Sequence, residues 1–231
     1  MYIPLVLSTL AFGAKGMSNF YFQDANGASA EILLSFSDLS MVLVLPISTL
    51  VILLVLTKFL VLPTHRYLVD SQFLEFMWSA IPAFLLILLV IPSFCLLYTI
   101  DEVGTPLCTN KVQAHQWYWG YECSDIEVQP FINLSYLSDG YPRLLETDYS
   151  LVLFPGLVSR FLITSADVLH SWSVPSFGFK ADAVPGRVNQ LVTVLERPGV
   201  TYGQCSEICG SNHSFIPISV NVLSKPQRVQ F

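Results

Sequence analysis

Charge is what this chain has least of. Only 12% of its 231 residues are Asp, Glu, Lys or Arg, while 53% are hydrophobic. Ordinary soluble domains carry about twice that share of charge, so a wholly soluble globule is excluded and part of the chain must sit in lipid. Basic residues are the scarcer sign, 11 against 17 acidic ones. The net charge of −6 favours a basic partner and argues against nucleic acid. The first twelve residues are apolar but lack the basic lead of a secretory signal and are too short to cross a bilayer. Residues 1–16 are therefore expected to be absent or disordered in the mature protein, with Met17 an alternative start. Internal repeats and low-complexity segments are also lacking, which excludes repeat architectures. Methionine is sparse, at four.

What the chain does have is two long uncharged runs. Residues 39–57 form nineteen residues without a charge, with Ser37 and Asp38 placed to cap the start and Pro46 inside. Residues 76–100 form twenty-five more, carrying Pro82 and Pro92 and closed by Asp101 and Glu102. Lipid-embedded helices tolerate such prolines where neighbours satisfy the freed carbonyls. The loop between them holds Lys58, His65, Arg66, Asp70 and Glu75, and its two basic residues, Lys58 and Arg66, against the acidic Asp101–Glu102 flank, favour the positive side of the membrane. Two helices and a short loop make a hairpin, so both chain ends lie on the opposite face. Glu75, at the mouth of the second helix, is by its position an interfacial carboxylate.

From residue 101 onward the texture is that of a soluble domain in which acidic groups outnumber basic ones. Residues 104–110 form a linker by composition. Residues 151–154, 158–164, 188–194 and 216–222 alternate as short strands, broken by Pro-Gly pairs at 155, 185 and 198. This pattern predicts an antiparallel sandwich or barrel. Residues 115–121 are expected to form one strand with His115, Trp117, Trp119 and Tyr121 on a single face, an aromatic stripe of the kind that packs a core. His115 is expected to be a packed, hydrogen-bonded histidine.

Near the C-terminus Cys205, Cys209 and His213 place three strong donors within nine residues. His170 is the best candidate for a fourth. Thiolate and imidazole suit copper, zinc or iron–sulfur clusters and suit magnesium or calcium poorly. Structural zinc uses the same donor types, and in an oxidising compartment the two cysteines could instead form a disulfide. Donor types by themselves leave copper, zinc and the disulfide open.

The run 202–217, together with residues 113–122, 163–172 and 180–190, resembles cytochrome c oxidase subunit II of the mitochondrial type, in the right order and from about residue 20 to the end. The resemblance implies a two-helix transmembrane hairpin (39–100) after an N-terminal segment (1–38), followed by an all-β Greek-key sandwich of the cupredoxin kind (101–231). It implies two copper ions bridged by Cys205 and Cys209 and bound by His170 and His213. Glu207 would lend its main-chain carbonyl to copper and its carboxylate to a magnesium or manganese ion shared with subunit I, near Asp182. Trp117 would be the point where the electron enters from cytochrome c, and Glu75 the mouth of a proton path into subunit I. Glu122, Asp125, Glu127, Asp148 and Asp167 would form the acidic surface for cytochrome c. The implied role is to pass electrons to haem in subunit I, where oxygen is reduced to water with proton pumping, among other oxidase subunits and lipid in the mitochondrial inner membrane. One position departs from the family. Ile216 stands where a methionine ligand is usual, and isoleucine has no donor atom; a codon read as isoleucine in the standard code but as methionine in some mitochondrial codes would explain it.

Overall fold

The computed structural model describes residues 22–60, 67, 69–101, 104–123, 126–131 and 142–223. The expectations for residues 1–16, His65, Arg66 and Asp125 lie outside these. Two helices, α1 (Ala28–Leu60) and α2 (Gln72–Asp101), pack against each other. Both are apolar around most of their circumference and leave large side chains such as Leu45, Ile52, Phe84 and Ile91 exposed, which suits contact with lipid. Pro46, Pro82 and Pro92 lie inside them.

Both helices outrun the uncharged runs that announce them. At 33 and 30 residues they reach about 45–50 Å, well beyond a hydrocarbon core of about 30 Å. Ser37 and Asp38, expected to cap α1, lie inside it, and the helix begins at Ala28. Hydrophobicity marks the lipid-crossing part of a helix, whereas the extra turns of α1 are held by protein. Ala30 is buried, and Gly178 packs so close that a Cβ there would lie 2.4 Å from the Ala30 Cα. Just before the helix, buried Asn26 accepts the amide protons of Glu196 and Arg197 at 3.0 and 2.8 Å and donates to the Arg197 carbonyl at 3.0 Å. Its own amide donates to the Ser176 carbonyl at 2.7 Å. The segment leading into the membrane is thus bonded to the soluble domain.

That domain is a sandwich of two five-stranded sheets. One has the order β3-β2-β1-β5-β8 and the other β4-β10-β9-β6-β7, with β1 Cys108–His115, β2 Tyr118–Cys123, β3 Ile126–Val128, β4 Leu151–Leu153, β5 Val158–Ser165, β6 His170–Val174, β7 Phe179–Ala183, β8 Asn189–Val194, β9 Gly199–Cys205 and β10 Pro217–Val222. The four strands expected from alternation are β4, β5, β8 and β10. The sheets are not wholly antiparallel: β1 pairs parallel with β5, and β10 with β4. Each parallel pair is made by strands far apart in sequence, which local alternation does not register. Residues 108–110, expected as linker, begin β1, because polar Cys, Thr and Asn there pair with β5.

Between the sheets lies one core. Val112, Trp119, Tyr121, Phe161 and Ile163 from the first sheet meet Leu153, Trp172, Val174, Ile218, Val220 and Val222 from the second. Trp172 bridges the layers, donating to the Tyr121 hydroxyl at 3.4 Å and packing against Phe161 and Phe179. Residues 115–121 are two strands rather than one. β1 ends at His115, the chain turns at Gln116 and Trp117, and β2 starts at Tyr118. Trp119 and Tyr121 share the buried face of β2, while His115 stacks on Tyr118 at 4.7 Å.

Candidate metal centre

Four segments meet at one end of the sandwich: the start of β6, the loop 205–216 between β9 and β10, the β1–β2 turn, and the residues between β5 and β6. β6 brings in His170, fully buried. Its Nδ1 faces the Cys205 sulfur at 3.8 Å. The His213 Nδ1 lies 3.5 Å from the Cys209 sulfur. The donor atoms of His170, Cys205 and Cys209 all lie within 4.8 Å of one another, and both cysteines are buried free thiols. The Glu207 carbonyl is 3.4 Å from the Cys205 sulfur. His170 beside Cys205, His213 beside Cys209 and the Glu207 carbonyl form a donor set for a soft metal.

Their protonation follows from burial and from one another. Burial pushes the Cys205 thiol up, but His170 and the backbone at Ser171 and Glu207 outweigh it and bring it down to about 6. Burial and the neighbouring Cys205 charge push Cys209 up to about 12. The pair therefore sheds one proton readily and holds the second, which a bound metal displaces. Burial lowers His170, yet Cys205 and Asp167 raise it overall.

Around the donors sits a supporting shell that sequence reasoning missed. The Asp167 carboxylate engages His170 Nε2 at 2.9 Å with one oxygen and takes the Gln116 amide at 2.6 Å with the other. Burial raises its pKa, but those bonds and the Val168 amide draw it below the usual value. Gln116 in turn donates its side-chain amide to the Cys209 carbonyl at 2.8 Å, so the hairpin turn and the metal loop are tied together. The signal was present as an acid three residues before a histidine, a common way to orient a ligand ring. Gly210 has φ +128°, and a Cβ on it would meet Trp117 Nε1 at 3.2 Å and Gln116 Nε2 at 3.3 Å, so glycine is needed at that contact.

The remaining expected residues are spread more widely. Trp117 is half-buried beside Gly210. Trp119 sets its ring edge-on to His170 at 5.9 Å. Ile216 is buried, and its carbonyl accepts the Cys205 amide at 3.2 Å; it heads the buried series Ile216, Ile218, Val220, Val222. Glu122 pairs with Lys111 at 2.8 Å on the surface, Asp148 accepts the Phe131 and Tyr149 amides, and Glu127 lies on β3. Asp182 is exposed on β7. Glu75 is exposed in the first turn of α2, away from the metal centre.

Known proteins match this arrangement along most of the chain. The family model for the periplasmic domain of cytochrome c oxidase subunit II matches residues 108–223, and that for its transmembrane domain matches residues 16–96. The chain belongs to the cytochrome c oxidase subunit II family. Among solved structures, the periplasmic domain of subunit II of the Bradyrhizobium japonicum cytochrome oxidase is 37% identical, with a TM-score of 0.50, covering 53% of this chain and 88% of its own. A mixed disulfide between a thioredoxin-like protein and subunit II of cytochrome c oxidase is 36% identical (TM-score 0.46, 53% of this chain, 86% of its own). A haem–copper terminal oxidase dimer is 17% identical (TM-score 0.36, 81% and 97%). As a subunit II, this chain is the electron-transfer subunit of a cytochrome c oxidase, a membrane protein with its sandwich on the periplasmic or equivalent outer side. The Cys/His cluster suits copper.

Proposed function

We propose that Cys205 and Cys209 through their thiolates, His170 and His213 through their imidazole nitrogens and Glu207 through its carbonyl would hold two copper ions. When bound, this copper pair supplies a one-electron relay between cytochrome c and the haem of subunit I. The observation that carries the reading is the convergence of His170, Cys205 and Cys209 within 4.8 Å in a buried pocket. The chain's own residues prepare the site: Asp167 holds the His170 ring by Nε2 so that Nδ1 faces inward, and burial keeps water from the sulfurs. Ile216 supplies apolar packing and no donor, which in related copper sites tunes potential and does not empty the site.

The wider role follows the family resemblance. Trp117, half-buried beside the metal loop at Gly210, receives the electron from cytochrome c. The Glu207 side chain would hold a magnesium or manganese ion at the border with subunit I. Glu75 marks the mouth of the proton path. The protein works in the mitochondrial inner membrane with its sandwich in the intermembrane space.

Metal analysis and absorption of the purified oxidase test the centre. Mixed-valence dicopper absorption is expected from the assembled complex and is expected to vanish in Cys205→Ser; zinc in this chain, or Cys205 joined to Cys209, refutes the proposal. Mass spectrometry of the peptide spanning residue 216 tests the mitochondrial assignment, because methionine there requires an organellar code.

A further inference from the structure

Two cysteines far from the metal centre remain unexplained. Cys108 opens β1 and Cys123 closes β2, and their sulfurs lie 3.8 Å apart. The register pairs Asn110 with Cys123. Cys108, two residues before Asn110, therefore shares its face of the strand and sits diagonally across the ladder from Cys123. Diagonal neighbours are ordinarily separated by about 7–8 Å at Cα, so a sulfur separation this short means the two side chains lean together. The Asn110 amide completes the cluster, 3.7 Å from the Cys108 sulfur.

From these positions we infer that Cys108 and Cys123 are joined by a disulfide that clips the open end of the β1–β2 hairpin. Both residues end their strands, one after residues 104–107 and the other just before β3, so the backbone can give the small approach that a bond of about 2.05 Å requires. The domain faces the outer compartment, where disulfides form and persist. Access also favours this pair, since both thiols are partly exposed while Cys205 and Cys209 are buried. The hairpin separates the two dithiols. Its closed end touches the metal loop through Gln116, and the length of β1 places Cys108 about 23 Å from that end. The metal-binding thiols are thereby left out of the exchange.

The oxidant is the disulfide of a thiol–disulfide oxidoreductase. The Cys108 thiolate attacks it, forming a mixed disulfide and releasing one oxidoreductase thiolate. The Cys123 thiolate then attacks the Cys108 sulfur, closing the bond and expelling the second thiolate. The two electrons reduce the oxidoreductase disulfide, and the two protons lost by Cys108 and Cys123 end on its thiols.

Acid-trapping of the intact oxidase, alkylation in denaturant and digestion without reductant read the state directly. A peptide joining Cys108 to Cys123, lighter by two hydrogens than its halves, is expected, with Cys205 and Cys209 alkylated. Separate alkylation of Cys108 and Cys123, a link from either to Cys205 or Cys209, or a metal ion held between them overturns the inference. In a second experiment, hydrogen exchange at the amides of Asn110 and Glu122 is expected to quicken several-fold in wild-type oxidase on adding reductant, and not to respond in the Cys108→Ser, Cys123→Ser double variant. The same response in both proteins overturns it.

Discussion

His170 has both ring nitrogens committed, Nδ1 toward Cys205 and Nε2 to Asp167. Rotating that ring would pull the donor out of the cluster, so Asp167 would act on a bound metal through His170. Outer partners of ligand histidines typically contribute about 10–100-fold in metal affinity. Asp167→Asn is expected to weaken copper retention by about that factor while the sandwich stays folded, measured by chelator competition alongside circular dichroism. An unchanged chelation rate would return Asp167 to a purely surface role. The donors themselves were legible, because Cys205, Cys209 and His213 fall within nine residues. Gln116 was not. Nothing in its local sequence says that its amide reaches Cys209, which is 93 positions away.

At the scale of elements, the β1–β2 hairpin shows what alternation misses. His115, Trp117, Trp119 and Tyr121 keep a period of two across a turn that carries no Gly, Pro, Asn or Asp, the usual turn residues. The β2 half of the stripe is core as expected, while the turn places Trp117 against the metal loop. The start of α1 makes the opposite point. Its N-terminal turns are held by Asn26, which satisfies two backbone amides of the soluble domain in a buried setting. Asn26→Ala leaves those donors without an acceptor, at a cost of about 1–3 kcal/mol. Faster hydrogen exchange at Glu196 and Arg197 is the expected signature, with the amides of β10 unaffected. The exposed Glu31 to Arg197 pair at 3.7 Å adds little to this joint.

For the whole molecule, the question is how an acidic outer domain and an apolar hairpin serve one electron path. The soluble part bears the excess negative charge, and several of its carboxylates are already occupied: Glu122 by Lys111, Asp148 by backbone amides and Asp167 by His170. Docking of a basic partner therefore draws on the summed field of the domain. The rate of copper reduction by cytochrome c is expected to fall as salt shortens the screening length below about 8 Å, and Trp117→Phe is expected to slow that rate without altering its salt dependence. A rate indifferent to ionic strength would dismiss the acidic surface as a docking site. At the other end of the molecule, Glu75→Gln is expected to slow steady-state turnover and proton uptake while leaving copper reduction by cytochrome c intact; unaltered turnover would leave Glu75 a simple interfacial carboxylate.

The order of residues determined the lipid-crossing runs, the all-β character of the outer domain and the candidate metal donors. Each is written in local composition, in a period of two, or in side-chain chemistry that no fold can supply. Only the tertiary structure decided which carboxylate orients His170, where the 115–121 stripe turns, how far α1 extends beyond the membrane, and that Cys108 meets Cys123. Those are contacts between segments distant in sequence or across a turn without turn residues, and they exist only once the sheets have closed on their common core.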